Sequence, residues 1–255
     1  MNFLDRVLIE KAGHENGFEN VLSSTADNVL LGSARHRAQA IINKSENKLL
    51  LEITSAVSPQ LATELARSFP AISQHDSKLF ASDIAELAIL LRRAAKLAQA
   101  LPSQPVKNFE LQVQEEQAKY TADTLKDTEI ERLVKQRIGQ NIFRNAMLDY
   151  WAGACAVTGI AVPEVLRASH AKPWKDCDSD AERLDVFNGF LLSANLDALF
   201  DRFLISFDNN GRILISPQLD KNQCDLLGLH PDLSVRWLAS EHGFYLNYHR
   251  ALLKS

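Results

Sequence analysis

His170, Asn188, Asp197 and Asp201 fall within 32 residues and together supply the side chains that phosphodiester hydrolysis needs. A neutral imidazole can take a proton from water near pH 7. Carboxylates can hold a hard divalent cation that neutralises charge on a phosphate and its leaving oxygen. Asp197 and Asp201 are four residues apart, so on a helix both project from one face and can approach one cation. Each residue also has an ordinary structural use. A histidine near Trp174 can be a buried, hydrogen-bonded core residue, Asn188 before Gly189 can form a turn, and first-turn aspartates can face a helix dipole.

The cysteines narrow the chemistry. Cys155, Cys177 and Cys224 are three in number and widely spaced, which leaves neither a disulfide framework nor a four-cysteine zinc knuckle. A metal site is therefore expected to use oxygen and nitrogen, and Cys155 reads as a small buried residue.

The elements that must position these residues can be traced along the chain. A helix spanning Asp127 to Tyr150 is predicted, because Ile130, Val134, Ile138 and Ile142 recur every fourth residue and Phe143, Met147 and Trp151 continue an adjacent stripe. After Gly153 the pattern changes to short apolar runs: 155–159, 165–170 and 190–192, then helical spacing over 194–202. A hairpin follows, with strands at 203–207 and 212–216 joined across Asp208-Asn209-Asn210-Gly211.

The first hundred residues read as a small mixed domain. A short helix is expected at Phe3 to Lys11, and strands at Asn28–Gly32 and Leu49–Ile53 flank the basic segment Ser33–Lys44. Two helices follow, one with Ser58 as N-cap and Pro59 at its first position, the other from Ser82 towards Leu101 with Pro102 as its stop. Arg35, His36, Arg37, Lys44 and Lys48 form a basic cluster that suggests a DNA contact.

At 255 residues, 46% apolar and 24% charged, the chain is expected to fold as two domains with a sizeable core. The expected division is an N-terminal α+β domain over 1–105, a linker over 106–126 that follows Pro105 and holds a run of Gln and Glu, and a C-terminal domain over 127–255. The net charge of −4 excludes binding of polyanions through bulk charge. The window from Arg132 to Lys175 is different, with seven basic residues against two acidic ones. No apolar run is long enough for a membrane helix, and Asp5 and Glu10 interrupt the start where a signal peptide would need apolar residues, so a cytoplasmic protein with no membrane partner is expected.

The stretch from Arg137 to Arg202 also resembles a known family. Arg137-Ile138-Gly139-Gln140, Phe143-Arg144, Cys155-Ala156-Val157-Thr158-Gly159, Ala168-Ser169-His170-Ala171-Lys172-Pro173-Trp174, Arg183-Leu184-Asp185, Asn188-Gly189-Phe190-Leu191-Leu192 and Leu199-Phe200-Asp201-Arg202 are together similar to HNH endonucleases of bacterial restriction and defence proteins. The resemblance implies a C-terminal ββα-metal (His-Me finger) nuclease domain, which with the N-terminal mixed domain and the long connecting helix makes the expected chain α+β. It implies His170, on the first strand of a hairpin, as the base that activates water. Asn188, in the second strand, would hold the loop carrying the base and help coordinate the metal.

The last His of the motif falls at Asp197, and Ser169 stands where some members carry an Asp ligand. A carboxylate at 197 suits Mg²⁺ or Mn²⁺ better than Zn²⁺. The implied metal ligands are Asp197, Asn188 and Asp201, with Asp201 open to an alternative salt bridge with Arg183 or Arg202. Arg137, Arg144, Lys172, Lys175 and Arg202 are the residues expected to track phosphates.

The function these readings imply is a metal-dependent DNA endonuclease of restriction or phage-defence type acting on double-stranded DNA, with a homodimer suggested by analogy. The competing readings are a non-catalytic DNA-binding module that kept the scaffold after losing the third His, and an RNA-cleaving toxin.

Overall fold

The computed structural model describes residues 1–45, 48–72, 78–119 and 128–254, with side chains described from 132 onward in the last of these. The chain divides into two compact units, Met1–Gln104 and Pro105–Ser255.

The first unit begins with helix α1 (Phe3–Glu15), started by a capping box in which Asn2 and Asp5 satisfy each other's backbone N–H groups. Strands β1 (Asn20–Ser24), β2 (Asn28–Gly32), β3 (Ala38–Ser45), β4 (Lys48–Ser55) and β5 (Leu79–Ala81) pair antiparallel in that order. Alternation decides the buried face: Val29 and Leu31, Ala38, Ala40 and Ile42, and Leu49, Leu51 and Ile53 all point inward. Helices α2 (Leu61–Ser68) and α3 (Ile84–Ala100) join α1 on that face, and α3 buries Leu87, Leu90, Leu91 and Ala94.

Three expectations need correction in this unit. The basic segment between the two predicted strands contains β3, whose inward residues are mostly alanines and so give a weak strand signal. Helix α2 starts at Leu61, beyond Ser58 and Pro59, and Ser58 Oγ donates to the Pro102 carbonyl at 3.1 Å instead of capping. The basic cluster is partly committed. His36 is buried against the Gly17 carbonyl, Lys44 pairs with Asp5 at 2.7 Å, and Arg35 lies 3.9 Å from Glu19. Arg37 and Lys48 are exposed.

The second unit opens with α4 (Gln104–Gln117), so most of the segment expected as a linker is helical, and its remainder falls largely outside the described residues. Helix α5 (Thr128–Tyr150) follows, as predicted, and buries Phe143, Met147 and Tyr150. Strand β6 (Leu166–His170) pairs antiparallel with β7 (Gly189–Ser193) in a register that runs from Leu166↔Ser193 to His170↔Gly189. Between them lies the short helix α6 (Asp180–Arg183), and α7 (Ala194–Phe200) leaves β7 directly. The hairpin of β8 (Ile205–Phe207) and β9 (Ile213–Ile215), then α8 (Lys221–Leu227) and α9 (His242–Ala251), complete the unit. Its core is aromatic: Tyr150, Trp151, Phe187, Phe190, Phe200 and Phe207 are all fully buried. No helix among the described residues is long and apolar enough to cross a membrane.

Candidate active site

The two strands that carry the site are pulled close at one point. Gly189 pairs with His170, and a Cβ there would lie 2.0 Å from the Ser169 carbonyl oxygen, so any side chain would force β6 and β7 apart. The Ala171 amide donates to the Asn188 carbonyl at 3.0 Å, which ends β6 just past His170 and turns the chain outward.

His170 sits at this turn, half-buried. Its ring stacks on Phe143 of α5, with centroids 3.8 Å apart, and meets Trp174 edge-on at 5.8 Å. Nε2 lies 2.9 Å from the Arg183 carbonyl oxygen. A carbonyl only accepts, so Nε2 carries the hydrogen and Nδ1 keeps a free lone pair. Burial lowers the imidazole pKa to about 4, so the ring is neutral at physiological pH.

The Arg183 carbonyl is itself held in place. The Arg183 side chain donates to the carbonyls of Trp174 (3.2 Å) and Cys177 (2.6 Å) and to Asp180 Oδ1 (2.9 Å), which folds the 174–183 loop onto itself. Asn188 is the second clamp. It ends the 3₁₀ turn Val186–Asn188 just before β7, and so stands outside the strand in which it was expected.

The Asn188 side chain is fully buried. Its Oδ1 accepts from the Lys172 amide at 2.7 Å, and its Nδ2 donates to the carbonyls of Lys172 (3.2 Å) and Glu182 (3.0 Å) and to Cys177 Sγ (3.3 Å). The amide is spent on holding the loop, and it does not line the pocket in front of His170. The geometry therefore gives no support to Asn188 as a metal ligand.

That pocket has a volume of about 520 Å³ and brings Asp197 and Asp201 of the α7 segment together with His170, Trp174, Arg144 and Arg167. Asp197 Oδ1 accepts from the Ser169 hydroxyl at 2.6 Å, a contact that fixes the carboxylate from the strand beside the base. The Asp201 carboxyl is pushed up to about 6, first by removal from solvent and then by the neighbouring Asp197 carboxylate. Neither carboxylate forms a salt bridge among the described residues, which leaves the expected pairing of Asp201 with Arg183 or Arg202 unformed; Arg183 pairs with Asp180.

The expected phosphate-tracking residues divide. Lys172 is buried, with Nζ 2.8 Å from both Asp178 and Glu182, and these bonds raise its pKa and consume its charge within the loop. It is not available to a phosphate. Arg144 lines the pocket but donates to the carbonyls of Leu166 (2.8 Å) and Pro163 (3.0 Å), tying α5 to the start of β6. Arg137, Lys175 and Arg202 are exposed.

Residues 155–208, which hold the hairpin, the 174–183 loop and α7, match the family model of the HNH endonucleases. This part of the chain is an HNH domain. No curated protein matches the chain. Within the HNH domain the residues that sequence reasoning passed over as site members are Ser169, Arg183 and Trp174. Their roles depend on loop closure over 170–183, which no periodicity reports.

A divalent metal is usual for HNH endonucleases, and the donor set can be tested against one. Among the described residues no group of three or more His, Cys, Asp and Glu side chains could hold a metal. Two carboxylates one helical turn apart do face the pocket beside His170, and Asp201 is raised first by burial and then by the neighbouring Asp197. A hard cation held by one or two carboxylates, with the remaining positions left to water and substrate phosphate, fits that arrangement.

Proposed function

We propose that the chain is a metal-dependent DNA endonuclease with His170 as its general base and Asp197 and Asp201 as the carboxylates that hold the cation. The observation that carries this reading is the tautomer of His170. Its Nε2–H is fixed on the Arg183 carbonyl, and its Nδ1 lone pair is left free in a pocket that also contains both carboxylates. Burial keeps the ring unprotonated, so Nδ1 can accept a proton from water that approaches a phosphate.

Asn188 acts through position: by holding the Lys172 and Glu182 backbone it fixes the loop whose Arg183 carbonyl orients the base. Ser169 sets the direction of Asp197. A bound Mg²⁺ or Mn²⁺ would neutralise charge on the phosphate and its leaving oxygen. The exposed Arg137, Lys175 and Arg202 suit contact with the strand backbone.

A restriction or phage-defence role rests on the similarity of the motif run to that branch of the family. The test is incubation of the purified chain with duplex DNA, single-stranded DNA and RNA in Mg²⁺, Mn²⁺ or EDTA. Metal-dependent cutting of duplex DNA is expected. Cutting confined to RNA would replace the reading with a ribonuclease. DNA binding without metal-dependent cutting of any substrate, modified and phage DNA included, would replace it with a binding module.

A further inference from the structure

Helix α9 (His242–Ala251) lies outside residues 155–208, the stretch that matches the HNH model, and among the described residues none of its side chains lines the His170 pocket. It nevertheless reaches both halves of the site. Tyr245 and His249 are four residues apart, so they project from one face of the helix, and both are buried.

Tyr245 reaches the half that carries the base. Its hydroxyl donates to Asp185 Oδ2 at 2.9 Å, while Asp185 Oδ1 accepts from the Phe187 amide at 2.9 Å and the Asp185 carbonyl accepts from the Asn188 amide at 2.9 Å. One aspartate thus fixes the 3₁₀ turn that ends in Asn188, and it stands two residues after Arg183, whose carbonyl takes the His170 Nε2–H. Asn188 Nδ2 in turn holds the Glu182 carbonyl at 3.0 Å, so the stretch 182–188 is gripped at both ends. Burial pushes the Asp185 carboxyl up to about 6, and the Phe187 amide and the Tyr245 hydroxyl are the bonds that oppose this rise.

His249 reaches the half that carries the carboxylates. Its Nε2–H donates at 3.0 Å to the carbonyl of Phe200, the last residue of α7, and its Nδ1 accepts from the Ser206 hydroxyl at 2.9 Å. The imidazole also stacks on the Phe200 ring, with centroids 3.8 Å apart. Asp197 lies one turn before Phe200, and Asp201 directly follows it.

We propose that α9 is a strut that sets the spacing between the general base and the carboxylate pair, with Tyr245 and Asp185 as positioning residues for His170. Two grips one turn apart on a single helix hold the 182–188 stretch and α7 at a fixed separation, and a base and a cation act on one phosphate only when their separation is held. The inference rests on the endonuclease reading for what the two halves do, while the bonds of the strut can be tested without cleavage.

The test uses the full-length chain and the variants Tyr245→Phe, Asp185→Ala, Asp185→Asn and Tyr245→Phe combined with Asp185→Ala, each checked for folding by circular dichroism. Three quantities are read: the single-turnover rate on duplex DNA in Mn²⁺, duplex affinity by anisotropy without metal, and the ring ¹⁵N resonances of His170 in the metal-free chain, assigned with His170→Ala. Tyr245→Phe and Asp185→Ala are each expected to slow the single-turnover rate by about tenfold or more while affinity stays within about twofold, and the combined variant should be no slower than Asp185→Ala. Asp185→Asn should stay near the wild-type rate, because its Oδ1 can still accept from the Phe187 amide and its Nδ2–H can donate to the Tyr245 hydroxyl oxygen. In Tyr245→Phe the Nδ1 and Nε2 resonances of His170 should move towards each other as its two tautomers mix.

A Tyr245→Phe chain with the wild-type rate and unmoved His170 resonances would overturn the strut. So would equal losses of rate and affinity in Tyr245→Phe, or a loss in Asp185→Asn as large as in Asp185→Ala. A wild type that cuts nothing while Tyr245→Phe moves the His170 resonances as expected would overturn the nuclease reading and leave the strut standing.

Discussion

His170 depends on a neighbour that no residue-type argument could select, the backbone carbonyl of Arg183. Sequence put the imidazole forward as a candidate base. Which nitrogen is free came from the loop, and the ring stays neutral because it is buried, against the opposing pull of the Arg183 carbonyl. Lys172 shows the opposite case: its type and place beside the base suggested phosphate contact, but two carboxylates from the same loop consume it. The role of Asn188 predicts that Asn188→Ala costs about 2–4 kcal/mol of stability, because the Lys172 amide and Glu182 carbonyl lose their partner in a buried site. Denaturant unfolding would measure this, and a cost below about 0.5 kcal/mol would refute the clamp.

His249 offers a pH test away from the site. Burial lowers its pKa to about 4, while Phe200 and Ser206 hold its two nitrogens. A histidine with a depressed folded-state pKa contributes stability that is fully present above its ordinary value near 6.5 and is lost as pH falls towards 4. Between pH 7 and pH 5 the wild type should therefore lose more stability than His249→Gln, by on the order of 1–2 kcal/mol. Equal losses in the two chains would contradict the assignment.

At the scale of elements, the site depends on one close crossing of two strands. Gly189→Ala places a methyl group on the Ser169 carbonyl, so it should destabilise the β6–β7 pair by about 2 kcal/mol or more and abolish cleavage. Unfolding and activity measured together would show whether the two losses coincide; a stable, fully active Gly189→Ala would remove the crossing from the account.

The elements around this crossing were legible to different degrees. Helix α5 announced itself by a long repeat of Ile and Val, and β6, β7, α7 and the β8–β9 hairpin by short apolar runs with turn residues between them. Strand β3 was hidden by small inward residues. Helix α4 was hidden because its Gln- and Glu-rich sequence serves a solvated helix as well as a linker. The closure of 171–183 is held by side chain to backbone bonds, which have no period to read.

For the whole molecule, charge is distributed to suit the proposed task. The chain is net negative, and its positive window lies in the unit that contains the HNH domain. All residues of the His170 pocket belong to Pro105–Ser255, so that unit expressed by itself is expected to keep metal-dependent nicking, and loss of activity in a folded fragment would show that Met1–Gln104 contributes to the chemistry. Length and the break near Pro102 and Pro105 led the sequence reading to expect two domains; the structure divides into Met1–Gln104 and Pro105–Ser255. The first unit carries no motif to which chemistry could be assigned.

The most direct test of the central claim is cleavage of supercoiled plasmid by the wild type and His170→Ala, each in Mn²⁺, Mg²⁺ and EDTA, at protein concentrations that give equal DNA binding. Nicking or linearisation by the wild type in metal, reduced by about 10²–10⁴-fold in His170→Ala and absent in EDTA, is the predicted result. Cleavage by His170→Ala at the wild-type rate would contradict the assignment of the base.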